Sequence, residues 1–176
     1  MKLRDATAAD VEAIAAIYGH HVRTGLASFE IEAPDVAEMQ RRFEALRAKG
    51  FPYLVAESDG AIAGYAYASL YRERFAYRFT CEDSVYVDPR FVGRGIGRAL
   101  LEALIAACEQ RGFRQMIAVI GDSANAASIG VHRACGFEMT GTFRSIGFKH
   151  GRWVDTVLMQ RTMGAGDASP PDGSAR

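Results

Sequence analysis

Three glycines fall within five positions of "VGRGIGRALL", residues 92–101: Gly93, Gly95 and Gly97. An apolar helical period begins at once behind them. A glycine in an ordered segment costs about 0.5–1 kcal/mol relative to alanine, so three together imply a compensating contact. A strand that ends in a glycine turn and opens a helix offers one. Unpaired N–H groups converge there, and the helix dipole favours negative charge. Arg94 and Arg98 add full positive charges on or beside the loop. The matching guest is a phosphate or pyrophosphate; the plainer alternative is a turn that only packs strand on helix. A second cluster lies upstream. Arg72, Arg74 and Arg78 crowd one segment with Tyr71, Phe75 and Tyr77. A guanidinium fork suits a carboxylate or phosphinate, although solvated surface arginines also fit.

Three phosphate sites compete for the glycine loop. A Walker loop needs Gly-Lys-[Ser/Thr] after its glycines, and this chain has Gly97-Arg98-Ala99. A G-x-G-x-x-G fingerprint begun at Gly93 or Gly95 ends on Arg98 or Leu100. Both fail. What remains is the pyrophosphate of coenzyme A, held on R/Q-x-x-G-x-G/A.

The elements that must position these groups follow from periodicity. "MKLRDA" reads as a strand, and "TAAD" at 7–10 as a helix start, followed by Val11, Ile14, Ile17, Tyr18 and Val22 at helical spacing. A loop covers 23–33. Pro34 and Asp35 suit the first turn of a second helix with Val36, Met39, Phe43 and Leu46 on one face, stopped by Gly50 and Pro52. "YLVAES" and "AIAGYAYASLY" flank Asp59-Gly60, a tight hairpin signal. "EDSVYVDP" is a strand ended by Pro89, and the helix after the glycine loop runs from about 95 to 111, closed by Gly112. "QMIAVI" suits a buried strand, "SANAASIGVHRACGF" a capped helix, and "EMTGTFRSIGF" and "RWVDTVLMQRTM" two closing strands. This order implies an α+β fold, a central mixed sheet flanked by helices, in one domain over 1–163. The tail 164–176, "GAGDASPPDGSAR", is expected to be disordered.

Composition narrows the function classes. Lys plus Arg equals Asp plus Glu at 21 each, so net charge gives no argument for nucleic acid or an anionic membrane as partner. No apolar run approaches the ~20 residues of a membrane span. "MKLRDATAAD" lacks an apolar signal core, and a cytoplasmic protein is expected. Cys81, Cys108 and Cys135 are odd in number and widely spaced, as reduced buried thiols would be. No His/Cys/Asp cluster has metal-ligand spacing, so no metal is expected.

Four segments are long and specific: "EDSVYVDP", "GRGIGRALLEALI", "AVIGDSANAASIGVHRACGF" and "GFKHGRW". Through them, residues 1 to about 163 resemble the general N-acetyltransferase (GNAT) superfamily, and within it the phosphinothricin and methionine-sulfoximine acetyltransferases. One departure is Val92, where the family usually shows Arg or Gln. The resemblance implies a mostly antiparallel sheet of about seven strands and acetyl-CoA as co-substrate. It places the co-substrate along Val85, Tyr86 and Val87, then Gly93, Arg94, Gly95, Ile96, Gly97 and Arg98, with Asn125 at a further contact position. It puts the Val87 N–H near the thioester carbonyl, where a preorganised donor is worth ~2.7–4 kcal/mol in other enzymes. The implied substrate is a small-molecule amine, the α-amine of an amino-acid analogue, met by Arg72, Arg74, Glu82, Asp83 and Ser84. Homodimers are common among relatives.

Glu82 matches the family's acidic residue. It is either the general base, direct or through water, or a carboxylate that only binds the substrate ammonium. With an α-amine pKa of ~7.7–8, about a tenth of the amine is neutral near pH 7, so supplying that form is worth only ~1.4 kcal/mol. Positioning can be worth ~7–11 kcal/mol. His132 stands where many relatives carry a tyrosine near the coenzyme A sulfur. It can protonate the leaving thiolate, or only pack and hydrogen-bond. His20 and His21 read as surface or interface residues. Acetylation of another amine (polyamine, aminoglycoside, protein N-terminus) and a non-catalytic acyl-CoA sensor are the competing functions.

Overall fold

Asp59 and Gly60 adopt φ of 53° and 77°, the left-handed pair that a two-residue hairpin needs. They join β2 (Tyr53–Ser58) to β3 (Ala61–Leu70). The computed structural model, which describes residues 1–171, builds one seven-stranded sheet around this hairpin. The other strands are β1 (Lys2–Asp5), β4 (Thr80–Val87), β5 (Gln115–Gly121), β6 (Glu138–Lys149) and β7 (Arg152–Thr162). The order is β1-β2-β3-β4-β5-β7-β6. Every pairing is antiparallel except β4–β5.

The helices are α1 (Val11–Thr24), α2 (Val36–Ala48), α3 (Ile96–Gln110) and α4 (Ala126–Ala134). α1 and α2 cover one face of the sheet, where Ile14, Val22 and Phe43 pack with Tyr53, Val55 and Tyr65. α3 covers the other, where Leu100, Leu101 and Leu104 are fully buried against Ala66, Met116 and Met159. Each such leucine contributes about 1.5–3 kcal/mol. α1 is tied to the sheet edge through Arg4, which bonds both Asp10 oxygens at 2.7 Å and also pairs with Glu57. The Arg4 hydrogen bonds hold the Asp10 carboxyl down to about 2, against the opposing effect of its burial.

Several boundaries differ by a turn from the sequence expectation. Residues 8–10 form a short 3-10 turn ahead of α1. Asp35 caps α2 from outside, accepting from the Glu38 N–H at 2.7 Å. Met39 and Phe43 carry the packing of α2, while Val36 in its first turn stays exposed. Residues 164–167 form a turn and 168–169 a bend, with Gly166 N–H donating to Met163 O and Arg114 reaching Gly166 O. The remainder of the tail expected to be disordered, 172–176, lies outside the described residues. All three cysteines are buried and free. Among the described residues no helix is long and apolar enough to cross a membrane.

The position of α3 is set by Gly64. A methyl there would meet Tyr86 O at 2.8 Å, and Leu100 and Ile96 of α3 at 3.2 and 3.3 Å. Backbone cannot yield as a flexible side chain can. Gly64→Ala should therefore cost about 1–3 kcal/mol in urea unfolding. Gly130→Ala, in a helix with nothing within 4 Å of the new methyl, should instead gain roughly 0.5–1 kcal/mol.

Candidate active site

β4 and β5 pair only at Thr80, Cys81 and Glu82 against Gln115, Met116 and Ile117, and then part. β4 continues to pair with β3 as far as Val87. Asp88 N–H donates to Ala63 O. By the alternation of an antiparallel ladder, Val85 and Val87 then turn their N–H and C=O groups away from β3, toward the opening. The parted edge leads straight to the glycine loop. Gly93 and Gly95 take φ of 82° and 76°, and a methyl on either would meet nothing within 4 Å. Gly95 caps α3, and the first helical bond is Ala99 N–H to Gly95 O. The N–H groups of Ile96, Gly97 and Arg98 thus have no partner within the helix. Gly97 has ordinary φ, and a methyl there would sit in ordinary contact with Val87 Cγ2 at 3.4 Å. Two of the three glycines therefore serve conformation.

Arg94 and Arg98 are engaged elsewhere. Arg94 pairs with Asp59 at 2.9 Å and Arg98 with Glu102 at 2.8 Å, both exposed. The donors at the loop are main chain. This run of free strand edge and uncapped helix start fits an extended acyl carrier with an anionic group.

Where the strands part, a cavity of about 410 Å³ opens through the sheet. It collects Glu82, Asp83, Ser84, Val85, Tyr86, Asn125 and His132. Strand alternation sends Glu82 and Asp83 to opposite faces. Burial, then the Asp83 charge, raises Glu82 to about 7, against the lowering effect of Arg72. Asp83, expected beside Glu82 on the substrate, is instead buried against His132: its Oδ2 lies 2.9 Å from Nε2. Nδ1 of His132 is 2.8 Å from Ser128 O, which can only accept. A His132 ring protonated on both nitrogens satisfies both the Ser128 carbonyl and Asp83 Oδ2. Burial disfavours the His132 cation, but the hydrogen bond and charge of Asp83 outweigh it and hold its pKa above the usual value. Asn125 caps α4, its Oδ1 accepting from Ser128 N–H at 3.1 Å.

Arg72 and Arg74 do not line this cavity. They sit on the exposed loop between β3 and β4, and Arg72 stacks on Tyr71 at 4.9 Å beside a neighbouring groove. Only the charge of Arg72 reaches Glu82. His21 departs from the surface role expected of it. It is half-buried, and its Nε2 donates to Val87 O at 2.8 Å, holding the outer end of β4. Burial lowers its pKa below the usual histidine value. Its spacing, three after Tyr18 and seven after Ile14, was the available signal. The sequence also gave no role to the loop between α1 and α2, whose Ala27, Ser28, Phe29 and Glu30 roof the cavity. Among the described residues no group of three His, Cys, Asp or Glu could hold a metal.

Comparison with known proteins places this geometry. Residues 14–137 match the acetyltransferase (GNAT) family. The chain is 58% identical to phosphinothricin N-acetyltransferase of Alcaligenes faecalis, over 93% of this chain and 83% of that protein. It is 40% identical to the L-methionine sulfoximine/L-methionine sulfone acetyltransferase of Pseudomonas paraeruginosa, over 96% and 98%. A crystal structure of a GNAT phosphinothricin acetyltransferase from Sinorhizobium meliloti in complex with acetyl-CoA superimposes with a TM-score of 0.95 at 51% identity, covering 98% of this chain and 93% of that one. Fold, sequence and the acyl-carrier cleft agree, and the chain belongs to the GNAT family of acetyltransferases.

Proposed function

We propose that this enzyme acetylates the α-amine of a small amino-acid analogue, of the phosphinothricin, methionine sulfoximine or methionine sulfone type, by direct attack of the amine on the thioester of acetyl-CoA. The observation that carries the reading is Glu82: a carboxylate raised to about 7 at the wall of a 410 Å³ cavity, where a strand edge offers free main-chain donors. That volume suits a substrate of amino-acid size. The names of the relatives point the same way.

Acetyl-CoA, when bound, supplies the activated acetyl group. The chain supplies the rest. Glu82 accepts the proton of the substrate ammonium, directly or through water, and a pKa near the working pH suits both taking and releasing it. The Val87 N–H is the donor for charge on the carbonyl oxygen, and His21 holds the following peptide through Val87 O. Asn125 and the main chain of 93–98 hold the carrier. His132, whose pKa the Asp83 hydrogen bond raises, is the proton source for the departing thiolate. Ser84 faces the amine side with Glu82. Arg72 attracts the substrate's anionic group from the rim, with Arg74 behind it on the same loop. We further expect a cytoplasmic homodimer. Phe143, Ile146, Phe148 and Trp153, exposed together on the β6–β7 hairpin, support the dimer.

The direct test offers a panel of amines with acetyl-CoA and follows free thiol. Amino-acid analogues should turn over well ahead of polyamines and aminoglycosides; binding of acetyl-CoA without thiol release from any amine would identify a sensor instead. Glu82→Gln should lose about tenfold in kcat/KM near pH 7, with the deficit narrowing toward pH 9 as the free amine grows. The wild-type profile should rise with pH through about 7; the variant should lack that limb. The same substitution should stabilise the fold. A glutamate ionises near 4.3 when unfolded but near 7 here, so the ionised form weakens the native state as pH rises between those values. The gain in melting temperature should be larger at pH 8 than at pH 5.

Arg72→Ala should raise the KM for the amine far more than that for acetyl-CoA. It should also move the Glu82 limb to higher pH, since the lost cation was lowering it. Equal effects on both KM values would count against the assignment. Asp83→Asn removes the charge that holds the His132 proton while leaving the burial. Proton NMR of the ring should show His132 titrating above the usual histidine value in the wild type and below it in the variant.

A further inference from the structure

The segment "GFKHGRW" is specific in sequence, yet none of its residues lines the cavity. His150 and Gly151, with φ of 50° and 74°, make a tight turn that fixes the register of β6 on β7, with Gly147 opposite Val154, Phe148 opposite Trp153 and Lys149 opposite Arg152. Alternation then puts Phe148 and Trp153 on the outer face, where they are exposed, and turns Gly147 and Lys149 inward. Lys149 is only 3% exposed. Its Nζ donates to Ser28 O at 2.6 Å, 121 residues away. Among the described residues no carboxylate oxygen comes within 4 Å of it. Burial lowers its pKa, and the nearby Glu30 charge partly offsets this. A buried ammonium resting on a neutral carbonyl is an unfavourable choice for packing alone, where an apolar side chain serves better. At Gly147, a methyl would strike the Phe29 ring.

Both contacts fall on the loop of residues 25–35 that roofs the cavity with Ser28, Phe29 and Glu30. The same loop is held from below by Tyr18, whose hydroxyl lies 2.9 Å from Ser28 Oγ and from Glu30 Oε1, and from the side by Arg42, 2.6 Å from Glu30. Those ties come from α1 and α2, the helices the loop itself connects. The β6 contacts and a close approach of Gly121 in β5 bring the far half of the sheet to it.

We propose that Lys149 is a positioning residue, which with the bare face of Gly147 latches the 25–35 loop across the parted strands and thereby sets how tightly the amine substrate is held. It acts through the loop, since neither residue lines the cavity. The proposal rests on the acetyltransfer reading for its kinetic consequence and on the geometry alone for its effect on the loop.

The test compares wild type, Lys149→Met and Gly147→Ala by hydrogen exchange of the free proteins and by kinetics with methionine sulfoximine and acetyl-CoA. In Lys149→Met the amides of residues 26–31 should exchange at least about tenfold faster, with the α3 core unchanged. The KM for the amine should rise about tenfold, that for acetyl-CoA should stay within about twofold, and kcat should fall less than the amine KM rises. Gly147→Ala leaves Lys149 in place but displaces Phe29; it should raise the amine KM in the same selective way, and it carries the test if Lys149→Met does not fold. Unchanged exchange and unchanged amine KM in a folded variant, or an equal rise in both KM values, would overturn the latch. A wild type that releases no thiol removes the acetyltransfer reading instead, and the exchange comparison still decides whether the loop is latched.

Discussion

The parting of β4 from β5 after Glu82 is the constraint on which the rest of the molecule depends. Two neighbouring parallel strands give up their ladder midway, and the main-chain groups beyond it lose strand partners. Buried backbone polar groups are rarely left without partners. The fold meets this locally: His21 takes Val87 O, Asn125 and α4 close the far side at Gly121, and the 25–35 loop lies over the gap. What remains open is a strand edge and a helix start in one line, and an acyl carrier fits that edge.

The same parting lets two adjacent acidic residues do different work. Glu82 and Asp83 point to opposite faces of one strand, and only the gap lets both reach one cavity. Glu82 is half-buried without an ion-pair partner among the described residues, and its proton affinity rises. Asp83 is more deeply buried, and the His132 ring faces its Oδ2 at 2.9 Å.

Features with short sequence separation were legible. Asp59-Gly60 marked its hairpin, the apolar helical period behind the glycines marked α3, and three glycines marked a helix start with free donors. The mostly antiparallel sheet of about seven strands and acetyl-CoA came from the family resemblance that the longer motifs carry. What stayed hidden depends on tertiary register. Nothing local says that β4 and β5 part after Glu82. Asp83 meets His132 across 49 residues, which a run of neighbours cannot reveal. The arginines of "YRERFAYRF" read as substrate ligands by composition. The loop leaves them outside the cavity, where aromatic rings hold two of them. His21 was misread because a histidine near a helix end looks like surface unless its helical spacing is followed through.

The three cysteines, at 0–4% exposure on β4, on α3 and just after α4, sit on the α3 side of the sheet. In the native protein they are shielded from thiol reagents, so coenzyme A release can be followed colorimetrically with little background from the enzyme. The shielding also makes them internal clocks. The rate at which a maleimide or disulfide reagent reaches Cys81 and Cys108 measures how often α3 lifts from the sheet, and that of Cys135 how often the end of α4 does.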